Sequence, residues 1–258
     1  MAIRNFVRRF ISAFIGTAIL FGCTLYYFPE YLPQELLPAS QEAQYWVKEL
    51  KQLIRPEQEQ SPDSLPYNVI RAMTKMKILC IGDSNTYGYD PRSYFGSSYP
   101  ETVCWTNVLI VEEVINCGIN GLTVPTDSDP WQNLINEKQP DLVIVMLGTN
   151  DLLEGRSAEI VSSRMENYLK ELLETGKPIL LIAPPPLKPG TWVEDESQIA
   201  ESRKLGALYR DICERLHMDF ADAGDWNVEL TFDGVHFTEY GHAAFAKGLQ
   251  DHLSRREQ

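Results

Sequence analysis

KILCIGDSNTYGY, residues 77–89, is the stretch from which the fold of this chain can be predicted. Residues 78–81 form a short apolar run typical of a buried parallel strand, and Gly82, Asp83 and Ser84 end that run abruptly. In open α/β sheets, ligands bind at the carboxyl ends of such strands. We therefore interpret Ser84 as a candidate nucleophile on a tight turn. Taken alone, Gly-Asp-Ser is equally typical of an ordinary turn.

From residue 76 onward, apolar runs alternate with patterns typical of amphipathic helices. The clearest run is DLVIVML, residues 141–147, which is bounded by Pro140 and Gly148. Strands are predicted at residues 78–81, 114–116, 141–147, 178–183 and 218–222, and helices near residues 105–112, 157–174, 194–217 and 238–253. This alternation predicts a parallel sheet with helices on both faces, which is a three-layer α/β/α sandwich.

The composition limits the classes of function. A chain of 258 residues, 44% of them hydrophobic, can hold one α/β domain with additional segments. Its net charge of -13 leaves no basic stripe for phosphate groups, which argues against nucleic acid as a partner. The 5 cysteines form no C-x-x-C pair, so we predict neither a disulfide framework nor a zinc site. A metal phosphoesterase would need clustered His and Asp ligands, and the chain has only 4 histidines.

The N-terminal part of the chain has the pattern of a membrane anchor. Residues 10–28, FISAFIGTAILFGCTLYYF, carry no charge. At ~1.5 Å per residue, a helix of this length nearly crosses a hydrocarbon core of ~30 Å. Arginines precede the stretch and tyrosines follow it, as expected for a cytoplasmic end and an aromatic belt at the far interface. We predict a single membrane helix within residues 1–31, with the rest of the chain outside the cytoplasm.

Three alternatives to a spanning helix stay open. A cleaved signal peptide would need a small-x-small site, which does not follow the apolar run. A lipoprotein signal would end at Cys23, although apolar residues follow where a polar tether is expected. Translation from Met73 or Met76 would leave a cytoplasmic protein without the segment.

Residues 32–75 are predicted to connect the anchor to a domain of residues 76–258. Residues 40–55 place apolar side chains at helical spacing, and residues 57–66 are polar and rich in proline, as in a linker. The apolar stripe of this helix could pack on its own domain, lie on a bilayer or pair with a second copy. A homo-oligomer is therefore one of the options.

A nucleophilic serine needs a general base, and the base needs an acceptor that fixes its tautomer. Among the histidines, only His236 lies in a predicted loop with a carboxylate, that of Asp233, three residues earlier. The reaction also needs donors for a negative oxygen. Candidates are the backbone N–H groups of Ser84 and Gly121 and the side-chain amide of Asn150, each next to a predicted strand end.

Taken together, these segments resemble the SGNH (GDSL-type) serine hydrolases over residues 76–253. Residues 82–84 are similar to the nucleophile block, residues 116–123 to the glycine block, residues 148–151 to the asparagine block and residues 233–236 to the final acid and base. The resemblance implies a flavodoxin-like sandwich, a triad of Ser84, Asp233 and His236, and ester hydrolysis without a metal or other cofactor. One departure is Asn85, because the family often has Leu after the nucleophile.

Other stretches, among them residues 105–109, 183–187 and 236–239, are similar to arylesterases with acyltransfer activity. This similarity implies a small ester substrate with a short acyl group. Asn85, Tyr87, Tyr89 and Trp105 are predicted to line the substrate pocket. A lysophospholipase, a carbohydrate acetylesterase and a membrane-tethered binding module without activity are the alternatives.

Overall fold

The computed structural model of this chain describes residues 75–93, 97–193 and 195–256. The strands are β1 Lys77–Gly82, β2 Glu113–Gly118, β3 Leu142–Met146, β4 Ile179–Ala183 and β5 Asp219–Asp222. The helices are α1 Ser84–Tyr87, α2 Trp105–Val108, α3 Asp129–Lys138, α4 Thr149–Leu153, α5 Ala158–Leu173, α6 Glu196–Leu216 and α7 Glu239–Arg256, and Ala223–Trp226 is a 3-10 helix.

The five strands form one parallel sheet in the order β2-β1-β3-β4-β5. Gly82 at the end of β1 is in register with Gly118 of β2 and Met146 of β3, so these three strands end at the same edge. After β2 the chain crosses to the other side of β1 and adds β3. The loops after β1 and β3 therefore diverge and leave a crevice at this edge.

Both faces of the sheet are covered, as the uninterrupted apolar runs of the central strands require. Every residue of β3 and β4 is buried. One face packs against α3, α5 and α6 through side chains such as Ile135, Met165 and Tyr209. The other face packs against α2 and α7 through Trp105 and Phe245. The predicted α/β fold with a parallel sheet is confirmed.

The helices differ from the prediction in two places. The helix expected near residues 105–112 is a single turn, Trp105–Val108. Helix α3 was not predicted, because Ile135 is its only fully buried residue and its apolar stripe is short. The predicted long helix is α6, and an Asp195–Gln198 capping box fixes its start.

The predicted membrane helix, residues 10–28, lies outside the described residues, as does the segment of residues 32–75 except for its last position. Of the helices that are described, none is both long and apolar enough to cross a bilayer.

Candidate active site

Ser84 begins α1 immediately beyond the carboxyl end of β1. A side chain at Gly82 would bring a Cβ atom within 2.0 Å of Thr86 Oγ1, so only glycine permits this strand-to-helix turn. The Asp83 side chain caps the helix by accepting the backbone N–H of Asn85 at 3.0 Å. The turn therefore fixes where the Ser84 hydroxyl points.

A chain of hydrogen bonds joins Ser84 to His236 and Asp233. Ser84 Oγ lies 2.9 Å from His236 Nε2, and His236 Nδ1 lies 2.7 Å from Asp233 Oδ2. The second carboxylate oxygen of Asp233 accepts the backbone N–H groups of Val235 at 2.9 Å and His236 at 3.0 Å. Neutral imidazole has one donor and one acceptor nitrogen, so an Nδ1–H that donates to Asp233 leaves Nε2 to accept the serine proton.

Two buried carboxyl groups near the site, those of Asp233 and Asp83, have opposite pKa shifts. Burial alone would raise the pKa of Asp233, but hydrogen bonds from the side chain and backbone of His236 and from Val235 lower this pKa to about 2. Burial raises the pKa of Asp83 to about 6, although its bond from the Asn85 amide and the nearby His236 act in the other direction. Asp233 is therefore ionised across the whole neutral range of pH.

The loops after β2 and β3 bring two candidate oxyanion donors to the same edge. Gly121 has a φ of +75°, which favours glycine, and Asn150 lies in the first turn of α4. The Asn150 side chain donates to the Leu122 carbonyl at 3.0 Å, and Asp151 Oδ2 accepts the Val124 N–H at 2.8 Å. The asparagine block thus holds the glycine-block loop in place.

A cavity of about 350 Å³ opens between these groups. It is lined by Ser84, Tyr89, Asn120, Gly121, Asn150, Trp192 and His236. The ring of Tyr89 lies 4.7 Å from the His236 imidazole, and the ring of Trp192 lies 4.9 Å from it at an angle of 82°. The Trp192 backbone donates to the Asp233 carbonyl at 3.1 Å, which ties this loop to the loop that carries the imidazole.

Three of the four predicted pocket residues are corrected by the structure. Asn85 is 3% exposed, and its side chain is hydrogen-bonded to backbone groups on both sides of His236. Trp105 is fully buried, packs on Phe245 and donates its Nε1 proton to the Asn85 carbonyl. Tyr87 is half-exposed and does not line the cavity. Of the four, Tyr89 alone does.

Two lining residues were missed by the sequence reasoning, Asn120 and Trp192. Asn120 lies beside Gly121, and its position in the same loop was a usable signal. Trp192 follows a Pro-Gly pair in the loop after β4, and half of its surface is exposed. A tryptophan in a turn beyond a strand end is a second such signal.

No group of three or more His, Cys, Asp and Glu side chains within the described ranges has an arrangement suited to a metal ion. Cys80, Cys104, Cys117 and Cys213 are free thiols.

Comparison with protein families adds to this geometry. The model of the GDSL-like lipase/acylhydrolase family matches residues 80–244. The chain belongs to this family. The resemblance drawn from the sequence blocks is therefore confirmed, and the protein is a serine hydrolase that acts on ester bonds. The chain is therefore an enzyme and not a binding module without activity.

Individual relatives and solved structures are also similar to this chain. The chain is 27% identical over 202 residues to the uncharacterized lipoprotein YqeF of Bacillus subtilis, a match that covers 67% of this chain and 79% of the relative. The structure of the aryl esterase of M. smegmatis is similar with a TM-score of 0.61 at 27% identity, over 71% of this chain and 100% of the other. A carbohydrate acetylesterase family member from Sinorhizobium meliloti is similar with a TM-score of 0.61 at 25% identity, over 70% and 98%.

Proposed function

We propose that this GDSL-family enzyme hydrolyses esters of short acyl groups, acetate above all, with Ser84 as nucleophile, His236 as general base and Asp233 as its partner. The observation that carries the proposal is the unbroken hydrogen-bond chain from Asp233 through His236 to Ser84. This chain ends in a cavity that Gly121 and Asn150 also line. Nucleophile, base and oxyanion donors thus surround one space.

In the proposed reaction, His236 Nε2 takes the Ser84 proton as Oγ attacks the ester carbonyl carbon. The N–H groups of Ser84 and Gly121 and the Asn150 amide donate to the negative oxygen. The bond to the alcohol oxygen breaks, and His236 returns the proton to the leaving alcohol. Water, deprotonated by His236, then attacks the acyl-enzyme and releases the acid and Ser84. Asp233 stabilises the imidazolium in both steps.

The size of the cavity supports a small substrate. A volume of about 350 Å³ lies near the lower limit of ligand pockets, which span about 300–1,000 Å³. The rings of Tyr89 and Trp192, whose centroids are 6.4 Å apart, both lie next to the imidazole and form part of the cavity wall. An aryl acetate fits this space better than the long chain of a lysophospholipid.

The test is the turnover of p-nitrophenyl acetate by Ser84→Ala. We expect no measurable turnover and no labelling by a fluorophosphonate probe, with an unfolding temperature close to that of the wild type. Activity within tenfold of the wild type would rule out Ser84 as the nucleophile.

A carbohydrate acetate is the second candidate substrate. The exposed ring of Trp192 and the amide of Asn120 line the same cavity. An aromatic face packs against the C–H groups of a sugar ring, and an amide binds its hydroxyls. The S. meliloti carbohydrate acetylesterase relative supports this candidate. Comparing kcat/KM for acetylated xylose and for aryl acetates separates the two substrates.

We also propose that the enzyme is attached to a membrane through residues 10–28. The support is their uncharged apolar sequence and the relative that is a lipoprotein. A helix that spans the bilayer and a lipid on Cys23 are two forms of this attachment, and the catalytic domain is expected outside the cytoplasm.

A further inference from the structure

The side chain of Asn85 spans the backbone on both sides of the candidate base. Its Nδ2 donates to the Val235 carbonyl at 3.1 Å, and its Oδ1 accepts the Phe237 N–H at 3.0 Å. Val235 and Phe237 are the two chain neighbours of His236. One carboxamide therefore holds the three-residue segment that carries the imidazole.

The backbone of Asn85 is also fixed by hydrogen bonds. Its backbone N–H donates to Asp83 Oδ1 at 3.0 Å, and its carbonyl accepts the indole N–H of Trp105 at 2.9 Å. Asn85 is 3% exposed and directly follows Ser84 in α1. The distance between the nucleophile and the base thus depends on a rigid connection as well as on their own hydrogen bond.

The chemistry of this contact is specific to a carboxamide. A carbonyl needs a donor and an N–H needs an acceptor, and Asn presents one of each on a short planar fork. Leu has a similar size and neither group. With Leu, the Val235 carbonyl and the Phe237 N–H would lose their partners, and unpaired buried groups shift to find new ones.

We propose that Asn85 is a positioning residue that keeps His236 aligned with Ser84. This inference rests on the proposed roles of Ser84 and His236. A misplacement of reacting groups by ~1 Å can cost ~10²-fold in rate. Substrate binding is little affected, because Asn85 does not line the cavity. Loss of Asn85 therefore lowers kcat and leaves KM nearly unchanged.

The experiment compares Asn85→Leu and Asn85→Ala with a matched control, Thr175→Val, in the full chain. The Thr175 hydroxyl donates to the Leu172 carbonyl and accepts the Lys177 N–H beyond the end of α5, so its loss removes the same two kinds of backbone contact. The Ala variant cannot overpack the site and covers the case in which Leu prevents folding. The readouts are kcat and KM for p-nitrophenyl acetate, the rate of fluorophosphonate labelling and the unfolding temperature.

We expect kcat and the labelling rate to fall at least tenfold in both Asn85 variants, with KM within twofold of the wild type. Thr175→Val should lower the unfolding temperature and keep its kcat. A loss of kcat below tenfold in the Asn85 variants, or an equal loss in Thr175→Val, overturns the positioning role. Ser84→Ala is measured in parallel. If it retains activity the proposed triad itself fails, and if it is inactive a failure concerns Asn85 alone.

Discussion

Asp233 binds His236 twice, through the ring and through the backbone. One carboxylate oxygen lies 2.7 Å from Nδ1 of the imidazole, and the other accepts the backbone N–H of the same residue at 3.0 Å. Both contacts favour the ionised carboxylate, which agrees with its pKa of about 2. The carboxylate thus favours one tautomer of the His236 imidazole and holds the loop that carries this ring.

Replacing Asp233 with Asn should remove the negative charge and disturb one of the two contacts with His236. The amide has one oxygen, so it can accept either the ring N–H or the backbone N–H. Its NH₂ group would then face the remaining N–H, and neither of these two donors can accept from the other. We expect kcat for p-nitrophenyl acetate to fall by about 10⁴-fold. Asp225→Asn, which changes an exposed carboxylate in the 3-10 helix, is the control and should keep wild-type kinetics. A loss of less than about tenfold in Asp233→Asn would contradict the assigned role.

Trp192 should act on the alcohol side of the ester. Its ring forms an exposed wall of the cavity, so Trp192→Ala removes contact area for a large leaving group and little for a small one. We expect KM for an aryl acetate to rise about tenfold, whereas kcat/KM for ethyl acetate stays within threefold. Phe232→Ala is the matched control, because Phe232 is an exposed aromatic residue of the adjoining loop that does not line the cavity. Equal effects of the two variants on the aryl ester would argue against a specific role.

Those parts of the fold that depend on fully buried strands were predictable from the sequence. In β3, every residue is apolar and every residue is buried, so the sequence pattern and the packing agree. Helix α3 was missed because only a short stripe of its surface packs on the sheet. Tertiary contacts decide such helices, and a short apolar stripe gives little signal.

The sequence indicated which segments form the site, but not where the side chains of these segments point. Ser84 and His236 are 152 positions apart, and the strand order brings them together. Within α1, successive side chains point about 100° apart, so a turn that aims Ser84 at the cavity turns Asn85 toward the protein. The sequence pattern does not state this rotation. This rotation explains why Asn85 lies behind the pocket that it was predicted to line. Trp105, in α2, is buried there as well.

The proposed membrane attachment can be tested at Cys23. If residues 10–28 span the bilayer, Cys23→Ser should leave the enzyme in the membrane fraction, because one hydroxyl changes the apolar stretch little. If a lipid on Cys23 is the anchor, the same variant should release the activity into the soluble fraction and lose labelling by a fatty-acid probe. Cys213→Ser, a change at a buried thiol of the domain, is the control. Soluble activity in the unmodified protein would contradict both forms of attachment.

His242 should make the fold sensitive to acid. The residue is fully buried. Its Nδ1 accepts the backbone N–H of Trp105 at 3.4 Å, and its Nε2 has no hydrogen-bond partner. Burial lowers the pKa of this imidazole to about 4, against a weaker opposite effect of Asp90. The folded state therefore binds this proton less readily than the unfolded state, and stability is lost as the pH falls from about 6.5 toward 4.

Asp83 acts in the opposite direction over the same range. Its pKa is raised to about 6, so the folded state binds the proton more readily and gains stability as the pH falls from about 6 toward 4. The two groups partly cancel in the wild type. A variant that removes only the imidazole should therefore become more stable, relative to the wild type, on acidification.

His242→Asn keeps an acceptor for the backbone N–H of Trp105 and removes the titrating imidazole. We expect the free energy of unfolding of this variant, relative to the wild type, to rise by about 2 kcal/mol between pH 7.5 and pH 5, measured by denaturant unfolding. The absolute stability of the variant is lower, because Asn fills less of the buried space. His217→Asn, at an exposed left-handed position with φ +54°, should follow the wild type at every pH. Parallel pH curves for all three proteins would show that His242 does not carry the acid sensitivity.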